Sequence, residues 1–325
     1  LSGSIPVYIQ PEINEKLGIA MGVSYESVEK AIKENSDAKA ILIINPTYYG
    51  ATSDIEKISK LAHNHGIAVL VDEAHGAHFA FHSELPSSAI SMGADIVAVS
   101  SHKTGGSLTQ SSMILSNSGI VKPEEIRTAV ELTQTTSASY LLMTSLDVSR
   151  KNLAINGEKL LGTALELSRY ARNEINKIEP FYAFGKELID GSGVCDFDET
   201  KLGVNVSEIG LTGFEVYDLL RDEYNIQVEL GDVNNILAIV SIGDDKDSID
   251  KLISALKDIS EKYRGTKIEI DKTPILENPE LVLAPRDAYY TSKKEVPWEQ
   301  SEGLVSGEFV MAYPPGIPII VPGEK

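Results

Sequence analysis

Three short apolar runs, "AILIIN" at 40–45, "IAVLVD" at 67–72 and "DIVAVSS" at 95–101, constrain this chain more than any other feature. None has the regular polar alternation of a strand with one wet face, so each reads as a strand buried on both sides. The stretches between them read as helices. "SVEKAIKENS" at 27–36 is amphipathic, and "SDIEKISKLAHNHG" at 53–66 sets Ile55, Ile58, Leu61 and Ala62 at helical spacing before Gly66 stops it. "PSSAISMGA" at 86–94 predicts one more short helix, and "IPVYI" at 5–9 a further strand. Strands separated by helices imply a mostly parallel sheet covered on both faces, which binds ligands at the carboxyl ends of its strands.

Beyond that region the pattern changes. "SSMILS" at 111–116 predicts another strand, and residues 122–180 read as mainly helical. "GSGVCDFDETK" at 191–201 reads as a polar, turn-rich stretch. After it, "LGVNVSE", "GFEVYDLLRDEY", "IQVEL", "ILAIVSIG" and "SIDKLISALKDISEKY" follow in the order of a small α+β unit. The tail ends in "YPPGIPIIVPGEK", which its prolines keep out of regular helix. The expected division is a large domain over 1–180 and a small α+β domain with a carboxyl-terminal segment over 181–325.

Composition narrows the classes of function. With 29 Lys plus Arg against 48 Asp plus Glu, a net charge of -19 opposes nucleic acid and anionic membranes and tolerates a cationic small molecule. No run reaches the roughly 18 to 20 apolar residues of a membrane span, and the first residues lack the flank and core of a signal peptide, so the expected location is the cytoplasm. Cys195 is the only cysteine, which rules out an internal disulfide and a cysteine metal cage and reads as an incidental thiol.

The chemistry gathers at two predicted strand ends. "VDEAHGAH" at 71–78 places Asp72 where one strand stops, and "SSHKTGGSLTQ" at 100–110 places Lys103 just after another. Strand-end aspartates and surface lysines are common singly; a carboxylate, an amine and several histidines at neighbouring strand ends are not. All six histidines lie between 63 and 102, yet no spacing supplies three or four metal ligands, so no metal is expected and His63, His65 and His82 read as surface residues.

These motifs resemble the fold type I pyridoxal-phosphate enzymes, and within them the Orn/Lys/Arg decarboxylase family. "VDEAHGAH" is similar to that family's strand-end Asp-x-Ala-His motif and "SSHKTGGSLTQ" to its Ser-x-His-Lys motif. The tail segments "PRDAYY" and "GLVSGEFVMAYPPGIPIIVPGE" resemble its carboxyl-terminal signature. The resemblance covers the chain from end to end. It implies an α/β fold of fold type I with a large pyridoxal 5'-phosphate domain and a smaller α+β domain. It also implies decarboxylation of a basic amino acid: arginine to agmatine first, because the compact tail looks like the biosynthetic subgroup, with lysine and ornithine as alternatives.

Residue roles follow from the same resemblance. Lys103 is the expected attachment point of the cofactor, and Asp72 the expected partner of its ring nitrogen. Ala74, two residues on along an extended chain, is expected against the cofactor ring, with His75 near the ring and its 3-hydroxyl. Ser100 and His102 are expected to help hold the phosphate, and His102 also to donate a proton after decarboxylation. Thr47 and Tyr48 in "NPTYYG" resemble a segment beside the cofactor, although that stretch also reads as a simple turn. Thr136 and Ser137 in "QTTSASY" resemble a segment that reaches the phosphate of a neighbouring subunit, which implies a dimer at least; Ala138 replaces the family's usual Pro. Glu308 resembles a substrate-pocket carboxylate and reads equally as a solvated loop acid.

The family also carries a phosphate loop and a ring-stacking histidine ahead of the segment that matches "LSGSIPVYIQ". The resemblance therefore implies either a separate amino-terminal segment or a form that binds cofactor poorly. The rival readings are another fold type I enzyme, such as an aminotransferase or aldolase, and a cofactor-deficient binding or regulatory homologue.

Overall fold

The computed structural model describes residues 3–117, 119–263, 279–312 and 317–325. They fall into two units, Gln10–Asp271 and a second that joins Leu1–Ile9 to Lys272–Lys325.

The larger unit opens with a hairpin of β1 (Ile13–Asn14) and β2 (Ile19–Ala20), followed by α1 (Tyr25–Glu34), β3 (Ala40–Ile44) and the two-residue β4 (Ala51–Thr52). Next come α2 (Ile55–Asn64), β5 (Ala68–Asp72), β6 (Ile96–Val99), the one-turn α3 (Ser101–Thr104) and β7 (Met113–Ser116). Strands β3, β5 and β6 run parallel in that spatial order, and β7 closes the sheet antiparallel. The apolar runs thus fold as expected, and α2 starts at Asp54, whose carboxylate caps it by accepting from Lys57 N.

The expectation of two covered faces is corrected. Ile41, Ile43, Val69, Val71, Val97 and Val99 are buried on one face. On the other, Leu42 and Ile44 remain 72% and 62% exposed, so the period-2 geometry of β3 turns half of an apolar run to the open side. Two further expectations fail. "IPVYI" forms no strand, and Ile5, Val7 and Tyr8 are exposed. "PSSAISMGA" makes turns rather than a helix, because Gly93 at φ +96° ends the coil after Met92 N has reached back to Ser88 and Ala89.

From there α4 (Pro123–Thr133) and the long α5 (Tyr140–Ile175) lead to β8 (Tyr182–Phe184), the short β9 (Asp196–Phe197) and β10 (Lys201–Asn205). Helix α6 (Gly213–Tyr224), β11 (Leu230–Gly231), β12 (Asn235–Ile239) and α7 (Lys246–Tyr263) complete the unit. Strands β11, β12, β10 and β8 form an antiparallel sheet, and of "IQVEL" only the last residue is strand. Leu202 and Val204 of β10 join a core with Ile175, Val216, Leu220 and Leu256 from α5, α6 and α7. Alternation then sends Lys201, Gly203 and Asn205 to the opposite face. A second cluster, of Leu17, Tyr49, Phe184, Phe197, Leu230 and Leu237, joins the β1–β2 hairpin, the loop after β3 and the antiparallel sheet. The Tyr49 hydroxyl donates to Asp232 there, and Asp232 also accepts from the backbone of Asn234 and Asn235.

In the smaller unit, α8 (Pro285–Tyr290) starts at a proline, and β13 (Val310–Ala312) pairs antiparallel with β14 (Ile317–Ile320). Residues 313–316, part of the tail expected to be non-helical, lie outside the described residues.

Glu73 shows how the carboxyl end of β5 is anchored. It is 1% exposed and accepts hydrogen bonds from Ser88 Oγ and Ala89 N at 2.8 and 2.6 Å. Burial outweighs both bonds and pushes its carboxyl up to about 7 from an ordinary 4.5. The folded chain keeps this proton up to about pH 7, whereas the unfolded chain releases it near 4.5. Stability should therefore fall as pH rises through that window, by on the order of 3 kcal/mol. Glu73→Gln, which accepts from Ala89 N and donates to Ser88 Oγ, should flatten the slope in urea titrations between pH 4.5 and 8; an unaltered slope would mean that Glu73 is ionised in the fold.

Candidate active site

Strand β5 ends at Asp72, which pairs in register with Ala98 of β6, and β6 leads directly into Ser100 and α3. Hydrogen bonding between neighbouring parallel strands thus puts the Asp72 carboxylate and the Lys103 amine at the same edge of the sheet. Asp72 is exposed, and its Oδ1 accepts from Ala74 N at 3.0 Å. That bond corrects the extended backbone expected at Ala74. The chain turns immediately after Asp72, so Ala74 sits in a tight side-chain-stabilised turn and not along an extended strand.

The turn carries His75 inward. His75 is 7% exposed, and its ring has an amine at each nitrogen: Lys103 Nζ lies 3.2 Å from Nε2, and Lys201 Nζ lies 3.2 Å from Nδ1. The Tyr48 ring packs on it at 4.5 Å between centroids, and the Tyr48 hydroxyl donates to Glu229 Oε1 at 2.7 Å. Burial, then the charges of Lys201 and Lys103, push the His75 imidazole down to about 2 against the attraction of Asp198, so the ring is neutral.

Lys201, Asp198 and His78 are the residues that sequence reasoning missed. Lys201 and Asp198 are fully buried and His78 is 2% exposed. Asp198 Oδ1 accepts from the Thr200 hydroxyl and backbone at 2.6 and 3.0 Å, while Oδ2 lies 3.3 Å from His78 Nε2. Burial alone would raise the Asp198 carboxyl; His78, Lys201 and Thr200 outweigh it and hold it down at about 2. Burial lowers the Lys201 amine, opposed by the attraction of Asp198 and Glu229, with Lys103 adding repulsion. In the sequence "GSGVCDFDETK" reads as a polar, turn-rich stretch, and nothing in that reading singles out Asp198 or Lys201. The available signal was its place between two apolar strands, "LGVNV" immediately following, which leaves a lysine at the strand start little room to stay wet.

Gly50 permits this approach. Its φ is +99°, and a Cβ there would sit 2.9 Å from Asp198 O and 3.0 Å from Lys201 Cβ. The "NPTYYG" loop therefore packs directly on the turn that carries Lys201. Within that loop Thr47 Oγ1 accepts from Ala51 N at 3.1 Å, a local turn bond, whereas Tyr48 reaches His75.

The remaining expected residues are placed as follows. Ser100 precedes α3, and its side chain caps nothing. His102 Nδ1 lies 2.8 Å from Ser111 O, a carbonyl that can only accept, so Nδ1 carries a proton and Nε2 is left for other work. Thr136 and Ser137 lie exposed in the link between α4 and α5. Glu308 is exposed in the smaller unit, in a turn where its backbone N and O both bond the Ser306 hydroxyl. His63 bonds Asp95 and His65 caps the end of α2, both exposed, but His82 departs from expectation: its side chain is 6% exposed, and Nδ1 accepts from Glu84 N. Among the described residues no group of three or more His, Cys, Asp or Glu is arranged to hold a metal ion, and no helix is long and apolar enough to cross a membrane.

Asp198 bonds Thr200 and faces His78, and its charge also acts on Lys201. Asp198→Ala should destabilise the protein by about 3–5 kcal/mol by removing these buried interactions, and adding Lys201→Met tests how much of that loss comes through Lys201. Urea unfolding of the two single variants and the double variant measures the coupling; additive effects would show that the two side chains do not interact.

The family model for the major domain of Orn/Lys/Arg decarboxylases matches residues 1–248, and the model for their C-terminal domain matches residues 245–325. An arginine decarboxylase of Bacillus anthracis is 46% identical over 99% of this chain, and one of Bacillus subtilis is 45% identical over 99%. This chain spans 66% of the length of each, so about two thirds of those relatives is matched. The constitutive lysine decarboxylase of Escherichia coli is 23% identical over 98% of the chain and 57% of its own length. Its solved structure superposes with a TM-score of 0.76 over 98% of the chain and 57% of that protein, at 20% identity, which establishes the fold. Smaller matches to aminotransferases, such as one from Nostoc with a TM-score of 0.58 over 73% of the chain and 65% of that protein, place it among the fold type I α/β architectures.

Proposed function

The chain belongs to the Orn/Lys/Arg decarboxylase family, and on that premise we propose that it forms the pyridoxal-phosphate site of an enzyme that converts L-arginine to agmatine and CO2. The observation that carries the choice of arginine is an identity to the Bacillus arginine decarboxylases roughly double that to the lysine decarboxylases. The assembled enzyme is proposed as a homo-oligomer, a dimer at least, in the cytoplasm.

The residues present suit the cofactor. Lys103 offers an amine to hold its aldehyde carbon, and Asp72 at the neighbouring strand end offers an exposed carboxylate for its ring nitrogen. Pyridoxal phosphate, when bound, supplies the electron sink that accepts the pair left as CO2 departs. Asp72, steered by Ala74 N–H, would keep the ring nitrogen protonated and so favour that acceptance. His75, held between two amines and against Tyr48, would lie beside the ring, with Ala74 and Thr47 near it. Ser100 is free of a capping bond and suited to donate to the phosphate. His102 is fixed by Ser111 O with Nε2 unengaged by that bond, an atom suited to touch the phosphate or to return a proton to the product carbon. Thr136 and Ser137 of a second copy would complete the phosphate site, and Glu308 would meet the substrate's distal cation.

Incubation with pyridoxal phosphate, borohydride reduction and peptide mass mapping tests the site. A single pyridoxyl-phosphate group on the Lys103 peptide is expected, and Lys103→Ala should abolish both the label and agmatine formation. Asp72→Asn should retain the label and lose roughly a hundredfold or more in turnover. Product analysis with arginine, lysine and ornithine decides the substrate; a faster rate with lysine or ornithine would overturn the choice of arginine, and transamination products would overturn decarboxylation.

A further inference from the structure

We propose that Glu229 is a positioning residue for this site, one that holds the Tyr48 hydroxyl and so fixes the ring that packs on His75. Its geometry stands by itself, while its consequence for Lys103 rests on the cofactor reading.

Three successive residues of the "NPTYYG" loop meet the antiparallel sheet and its turns. The Tyr48 hydroxyl donates to Glu229 Oε1 at 2.7 Å, the Tyr49 hydroxyl donates to Asp232, and Gly50 packs on Asp198 and Lys201. Glu229 and Asp232 flank β11, and backbone bonds to β12 hold both. Glu229 N donates to Leu237 O at 2.9 Å, and Asp232 N donates to Asn235 O at 2.8 Å. Two neighbouring tyrosines therefore meet two acids whose places strand pairing has already fixed.

The two bonds do different work. Tyr49 is buried in an apolar cluster, and burial together with the Asp232 charge pushes its hydroxyl up, so it remains a donor and its bond secures the loop. Tyr48 is only half-buried and Glu229 is exposed, so their bond adds little to folding stability. What it fixes is a direction. A tyrosine side chain swings as a whole about its first side-chain bond, and a carboxylate that grips the hydroxyl at the far end prevents that swing. The ring so held lies 4.5 Å from the His75 ring at a tilt of 52°, and His75 Nε2 lies 3.2 Å from Lys103 Nζ. Glu229 thus reaches the lysine of the site through two side chains in series. Its charge also attracts the Lys201 amine, an influence that does not need Tyr48. Glutamine separates the two routes, because its amide oxygen still accepts from Tyr48 while its charge is gone.

The experiment follows the His75 ring protons by NMR in protein labelled with 13C-histidine, with the signals assigned by their loss in His75→Gln. An aromatic ring packed this closely displaces the signals of the protons it faces, so a swing of Tyr48 is read there. Glu229→Ala should shift the His75 signals while its urea midpoint stays at the parent value, and Glu229→Gln should leave both unchanged. Tyr48→Phe, which keeps the ring and loses the hydroxyl, should act as Glu229→Ala does, and the double variant should go no further. Borohydride-trapped labelling of Lys103 by pyridoxal phosphate should slow about fivefold in Glu229→Ala and in Tyr48→Phe and keep its parent rate in Glu229→Gln. Unmoved His75 signals in Glu229→Ala would overturn the proposal. Equal slowing in Glu229→Gln would overturn it as well, by moving the effect to the charge on Lys201. Parent-rate labelling in Glu229→Ala with shifted signals would overturn the link to Lys103. No labelling of the parent protein, with the His75 signals responding as expected, would overturn the cofactor reading and uphold the Glu229–Tyr48 assignment.

Discussion

A lysine that begins a strand covered on both faces has to find its counter-charges inside the protein, and much of the larger unit is arranged around that requirement. The Born cost of a buried ammonium is several kcal/mol even after relaxation, and burial accordingly lowers the Lys201 amine, opposed by the attraction of Asp198 and Glu229, while the His75 Nδ1 meets its Nζ at 3.2 Å. Asp198 in turn depends on Thr200 and on His78. Arg172, itself 8% exposed, fastens the same region from α5 by donating to the backbone oxygens of Phe184, Glu199 and Lys201. The polar residues below the site form one connected set, and removing any member leaves another unpaired.

That set connects the two four-stranded sheets of the unit. His75 and His78 leave β5 in the turn after Asp72, while Asp198 and Lys201 enter β10 of the antiparallel sheet. Neighbours in the motif meet different fates because strand and turn geometry point them apart. Asp72 faces the open side at the strand end; Glu73 is buried against Ser88 and Ala89; His75 is carried back under Tyr48. One eight-residue segment thus presents a carboxylate outward, anchors itself with a buried acid and delivers an imidazole to two amines.

The elements that carry the site were legible in the sequence. The runs at 40–45, 67–72 and 95–101 are apolar for their whole length and bounded by polar turns, which leaves few alternatives to a parallel strand. Asp72 and Lys103 were legible as a pair because each closes such a strand. "IPVYI" has the same composition and forms no strand, since pairing depends on a partner edge that composition does not specify. His82 was misread for a related reason. It follows the short turn Phe79–Phe81, and whether such a residue is wet depends on the position of α5, more than seventy residues later.

Local sequence by itself determined the order of strands and helices, the chemistry collected at two strand ends and the family to which the chain belongs. Backbone periodicity and turn chemistry act over a few residues and need no distant partner. Only the tertiary structure decided that Asp198, Thr200 and Lys201 are buried, that His75 lies between Lys103 and Lys201, and that one face of β3 stays open. Those outcomes depend on contacts between residues more than a hundred positions apart, such as His75 with Lys201 and Gly50 with Asp198, and the burial of a charge is a property of all its neighbours at once.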